Sequence, residues 1–168
     1  MRLLKIIDDT IDRYVCWLLA ILFIFMVFST LFQVISRYVF KAPLFWTEET
    51  ARYILVWISL LGAATALKRK MHVAVNFVLN FFSEKIRSKL ELLGKIFILI
   101  FLTFAIKGGI ILSKININQL SPALRIPMFW PYMVIPLSAT IMFIHILTDI
   151  IFLKQENKIK NKEKIPNL

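Results

Sequence analysis

Cysteine occurs once in this chain, at Cys16 inside an apolar run, so no intrachain disulfide is possible and cysteine usage names no compartment. Histidine occurs twice, as His72 and His145. Two such residues, with no third ligand in view, make neither a zinc site nor a convincing bis-histidine haem site. Glycine occurs four times, and neither Gly62 nor Gly108-Gly109 has the spacing of a phosphate loop. No Ser–His–Asp or Cys–His arrangement emerges from the order of residues, so an enzyme is not indicated and no cofactor is expected. Acidic residues are scarce too, ten against twenty-one Lys and Arg, for a net charge of +11. Such a balance would suit nucleic acid, but the cations gather at the ends of apolar segments. No basic helix with interleaved aromatics occurs, and nucleic acid is excluded as a partner.

What the chain has in abundance is apolar surface. Of its 168 residues 59% are hydrophobic, fifteen of them Phe and four Trp, whereas soluble domains run at about 45–50%. The expectation is an all-α integral membrane protein with four transmembrane helices and short amphipathic interfacial helices. The spans are placed at 14–36, 46–67, 90–112 and 129–153, each long enough for a ~30 Å hydrocarbon core. The first apolar run exceeds the roughly 7–15 residues of a signal-peptide core and no small-residue cleavage site follows, so it reads as a retained span. Residues 1–13 read as an amphipathic helix with Leu3, Leu4, Ile7 and Ile11 on one face and Lys5, Asp8, Asp9 and Asp12 turned away. It either lies in the interface or extends the first span. Residues 71–82 are apolar but too short to cross and read as an interfacial helix. The basic tail, 154–168, is expected to be disordered.

Topology follows from the cations. Fifteen Lys and Arg fall on the side of the two ends and the 68–95 loop, and six on the other. This places both termini in the cytoplasm.

Charges near the outer interface need partners, water or another subunit. Glu48 and Glu49 open the second span, where the helix dipole favours them. Arg52 follows at pairing distance, four and three residues on, and Arg37 lies across the turn. The reading is a clasp between the first two helices; a substrate or ion path is the alternative. His145 and Asp149 share one face of the fourth span, either as a proton relay or as an interhelical hydrogen-bond contact. Trp46, Tyr53, Trp57, Phe129, Trp130 and Tyr132 collect toward the outer ends, as interface anchors or as a surface for a partner protein.

The residues Pro43-Leu44, Trp46-Thr47-Glu48-Glu49, Arg52-Tyr53, Trp57, Gly62-Ala63-Ala64 and His72-Val73, with SPALRIPM at 121–128 and Pro136 beyond, resemble a known family. It is the small membrane (Q-type, DctQ-like) subunit of tripartite ATP-independent periplasmic (TRAP) transporters. Asn76 departs from it, standing where many relatives carry an acid. The resemblance implies residence in a bacterial inner membrane and two partners, a large sodium-coupled membrane subunit and an extracytoplasmic substrate-binding protein. It implies a scaffolding role in the uptake of organic acids of the dicarboxylate or sialic-acid type. Arg37, Trp46, Glu48, Glu49, Arg52, Trp57, Arg125 and Trp130 then become candidates for the partner interface. The alternative is a self-contained small oligomeric transporter or channel.

Overall fold

The structure, a computed structural model, describes residues 2–42, 44–69 and 84–163. Four helices account for most of them: α1 (Arg2–Tyr38), α2 (Phe45–Lys68), α3 (Glu84–Ile115) and α4 (Phe129–Glu163). Each contains a stretch long and apolar enough to cross a bilayer, at Leu4–Tyr38, Phe45–Lys68, Lys89–Ile115 and Phe129–Ile151. The chain is an all-α, multi-pass membrane protein. The interfacial helix expected at 71–82, with His72 and Asn76, lies outside the described residues.

Two expected boundaries differ. Residues 2–13 do not form a separate element but are the first turns of α1, whose 37 residues extend about 55 Å at a rise of 1.5 Å each. No proline or glycine interrupts this stretch, so nothing stops the helix. Its faces are also partly exchanged relative to the expectation, although Ile11 stays inward and Lys5 and Asp9 outward. Asp8 is buried, while Leu4, Ile6 and Ile7 point outward. The tail likewise continues α4 to Glu163 instead of becoming irregular at 154. The segment KQENKIKNKE has no helix breaker before Pro166.

The helices pack in the order α1, α2, α4, α3, with α4 also touching α1. α4 is the central element: 39% of its apolar window is buried, against 11% for α1. One core joins Val15, Leu61 and Val134, with Trp57 and Ile11 packed around them. A second joins Leu102, Ala139 and Ile146, flanked by Leu99, Ile106 and Met142. Phe25, Phe28, Phe97, Phe101 and Phe104 face outward, the arrangement expected where lipid or another protein is the solvent. Of the small residues on α2, Ala64 is buried and Gly62 faces open space.

α3 and α4 approach closely where Gly109 of α3 stands against Pro136 of α4. A Cβ on Gly109 would stand 2.7 Å from Pro136 Cδ and 2.9 Å from its nitrogen. Pro136 has no N–H and its ring fills the space toward the neighbouring helix, so only glycine lets the two backbones close. Gly109→Val is therefore expected to cost about 1–3 kcal/mol through overpacking, read as a lowered unfolding midpoint in detergent. Gly108→Ala, with nothing within 4 Å of its Cβ, is expected to leave the midpoint unchanged.

Candidate functional site

The polar side chains of the bundle form two groups, one at each end. At the end where α1 turns into α2, Ser29 Oγ donates to the Thr47 carbonyl at 3.1 Å and Ser36 Oγ donates to the Ala42 carbonyl. Thr47 is fully buried, and its hydroxyl donates to the Leu44 carbonyl at 2.6 Å. These contacts, with Phe32 against Trp46 at 6.2 Å between ring centroids, close the first hairpin.

Glu49 is 7% exposed and faces the connection between α3 and α4. Its Oε2 accepts the backbone N–H groups of Ala123 and Leu124, both at 2.8 Å. Its Oε1 accepts the Tyr53 hydroxyl at 2.6 Å, and that hydroxyl also lies 3.3 Å from Met128 Sδ. The connection is itself a small hairpin. Met128 N–H donates to Gln119 O and Ser121 N–H to Ile126 O, around an antiparallel bridge between Leu120 and Pro127. Arg125 adopts φ 57 at its tip, a left-handed conformation uncommon outside glycine. The carboxylate thus occupies the concave side of a tight turn, where successive N–H groups converge on an anion.

The expected four-charge clasp is divided. Glu48 and Arg52 pair at 3.0 Å on the surface. Glu49 serves the SPALRIP turn. Arg37 is exposed and makes no ion pair among the described residues. The hairpin is closed by hydroxyls instead, because short Ser and Thr side chains bond to backbone without carrying charge into lipid. Trp46 and Trp130 are exposed, the latter edge-on to Phe129 at 5.6 Å, while Trp57 packs into the core. Arg125 is exposed at the turn's tip.

At the opposite end, acids of α1 meet cations of α2. Lys68 Nζ lies 3.1 Å from Asp8 Oδ2 and 2.9 Å from Asp9 Oδ1, and donates to the Asp8 carbonyl at 2.7 Å. All three ammonium protons find acceptors. Arg69 Nη2 reaches Asp12 Oδ2 at 3.4 Å and Cys16 Sγ at 3.0 Å. Asp8, 6% exposed, also meets Nδ1 of His145, 4% exposed, at 2.5 Å. An ionised carboxylate can only accept, so Nδ1 is the ring nitrogen that donates to it. Asp8 therefore ties α1 to α2 and α4 at once.

His145 and Asp149 take their partners on different helices. Asp149 Oδ2 lies 2.6 Å from Lys95 Nζ of α3, which also meets Glu91 Oε1 at 2.7 Å. Their common face of α4 meets α1 at His145 and α3 at Asp149. Asp8, Lys68, Lys95, Ser29 and Thr47 were missed as site residues because each meets its partner across a helix interface. A sequence-level signal existed in the stripe Asp8, Asp9, Asp12 opposite the basic stop Lys68-Arg69. Among the described residues no three His, Cys, Asp or Glu side chains stand together as a metal group. The geometry offers interhelical locks and a held turn.

A family model described as "Tripartite ATP-independent periplasmic transporters, DctQ component" matches residues 26–154. The isethionate TRAP transporter permease protein DctMQ of Oleidesulfovibrio alaskensis is 31% identical over 140 residues, covering 81% of this chain and 22% of that protein. The sialic acid TRAP transporter permease protein SiaT of Haemophilus influenzae is 36% identical over 95 residues, 54% of this chain and 15% of that protein. A putative TRAP transporter small permease protein of Haemophilus influenzae is 25% identical over 151 residues, 90% of this chain and 89% of that protein. The chain thus spans about a fifth or less of the two larger permeases and nearly all of the small one.

Two predictions follow from the geometry. Lys68→Met removes the cation from the buried Asp8, leaving its carboxylate only the His145 contact, and is expected to cost about 3–5 kcal/mol in unfolding experiments, whereas Arg52→Gln, breaking an exposed pair, costs at most about 1 kcal/mol. Glu49→Ala deprives two backbone N–H groups of a charged acceptor, at about 1.5–3 kcal/mol for each bond. Hydrogen exchange should then show the Ala123 and Leu124 amides losing protection, and unchanged protection would remove Glu49 as the turn's anchor.

Proposed function

The chain belongs to the DctQ component family of the tripartite ATP-independent periplasmic transporters, and from that premise we propose that it is the small membrane subunit of such a transporter. In this reading it pairs with the large membrane subunit, which carries the sodium-coupled transport of an organic acid, and helps to seat an extracytoplasmic substrate-binding protein. It performs no catalysis of its own. Both termini lie in the cytoplasm of a bacterial inner membrane, with the Glu49-held turn outside and the Asp8–Lys68 lock inside.

The observation that carries this reading is the family match over residues 26–154. The relative named DctMQ supports the pairing, because this chain corresponds to only 22% of that permease. The geometry supports a static role. Charges that a transport path would leave open to water or substrate are engaged instead: Glu49 with backbone N–H groups and Tyr53, and Asp8 with Lys68 and His145. A part locked at both ends can keep its depth in the bilayer while a partner slides. The small-molecule class rests on relatives named for sialic acid, C4-dicarboxylate and isethionate, all organic acids.

The test is uptake in vesicles holding the large subunit and its binding protein, with and without this chain. Uptake of a labelled carboxylate or sulfonate is expected to fall to the background of empty vesicles when the chain is omitted. Full uptake without it would end the scaffold reading. Substrate flux through vesicles containing this chain alone would favour the self-contained transporter.

A further inference from the structure

Between the first turns of α1 and the last turn of α2 lies an open groove of about 450 Å³, lined by Asp9, Asp12, Arg13, Cys16, Trp17 and Arg69, with Ala20 at its apolar end. Its charges are not equivalent. Asp9 is engaged by Lys68 and Asp12 by Arg69. Arg69 uses only Nη2 for Asp12 and Cys16, which leaves other N–H donors on a half-exposed guanidinium. Arg13 is exposed and has no ion pair among the described residues. The groove therefore offers one guanidinium that makes no ion pair, though Asp9 lies near enough to feel its charge, and one partly used, each a planar fork suited to phosphate oxygens.

Its position matters as much as its charge. Arg13 is the last charged residue before the uncharged, mostly apolar run 14–36, so this groove opens where α1 enters the hydrocarbon. Trp17, one turn further on, is 68% exposed, in keeping with an aromatic ring at headgroup level. Ala20 continues the same edge of α1 toward the membrane centre. A ligand held here meets cations at one end and apolar surface at the other.

We infer that this groove binds a membrane phospholipid, with the headgroup phosphate between Arg13 and Arg69 and an acyl chain along Trp17 and Ala20. The shared chemistry is a phosphoryl anion, and the apolar continuation at Trp17 and Ala20 selects the lipid over free phosphate. A bound lipid there would bridge α1 and the end of α2 over the ion pairs that join them. The inference does not depend on the transport role.

Native mass spectrometry of the full chain, purified in mild detergent and supplied with phosphatidylglycerol or phosphatidylethanolamine, tests it. Retention of either phospholipid is expected to fall about fivefold in Arg13→Gln and further in Arg13→Gln/Arg69→Gln, the scale of one surface arginine against a lipid headgroup. Lys114→Gln, at the other end of the bundle, should retain lipid as the unaltered chain does. Arg13 makes no ion pair among the described residues, so its variant tests lipid binding without breaking the α1–α2 lock, and an unchanged unfolding midpoint confirms this. Equal retention by Arg13→Gln overturns the inference. So does equal retention of diacylglycerol, which would mean an apolar groove alone, or displacement of the phospholipid by inorganic phosphate, which would mean a free-anion site.

Discussion

A charge in or near the bilayer core has no water to fall back on, so it must be matched by another part of the protein. Asp8 shows how far this constraint shapes the fold. Its carboxylate is met from α2 by Lys68 and from α4 by His145. Losing α2 would take away its cation and losing α4 its histidine, while losing α1 would leave Lys68 and His145 without the carboxylate between them. Apolar packing between membrane helices is weakly directional, because lipid tails offer comparable contacts. Register in this bundle therefore comes from its polar contacts and from the close approach of Gly109 to Pro136, while the Phe-rich outer faces follow.

The same logic applies at the other end with different chemistry. A peptide N–H at the interface also needs an acceptor, and the SPALRIP turn presents two of them to one carboxylate. Glu49 belongs to α2, whereas the turn joins α3 to α4. A single side chain thereby fastens the second half of the molecule to the first hairpin. Since α3 itself packs mainly on α4, the Glu49 contact and the α2–α4 interface make a continuous block of what would otherwise be two helical pairs.

The four spans and the helical class were legible because long apolar runs and basic stops are one-dimensional signals. The polar partnerships were not, since they depend on which face of each helix turns inward. For the start of α1, an amphipathic helix at the interface would turn Asp8 to water with its other charges. The neighbouring helices supply cations instead, and the acids meet Lys68 and Arg69 across the α1–α2 contact. His145 and Asp149 illustrate the same limit: i,i+4 spacing placed them on one face, yet a face of the central helix looks at two neighbours. Glu48 and Glu49, adjacent in sequence, diverge because consecutive helical positions are about 100° apart, which leaves one on the surface and turns the other to the 123–124 amides.

The distribution of locks bears on the static role proposed for this chain. Two ties, one near each interface, resist both shear along the membrane normal and splaying of the helices, where a single central tie would resist neither well. α4 takes part at both levels, through His145 at one end and through the turn that feeds Phe129 at the other. The outward faces of α1 and α3 carry apolar side chains and no comparable internal commitment. The bundle thus has a central pair, α2 with α4, tied at both ends and flanked by α1 and α3, whose outer surfaces carry apolar side chains. A static subunit needs both properties, since a surface that is to be held by a partner keeps its shape only if something behind it does not yield.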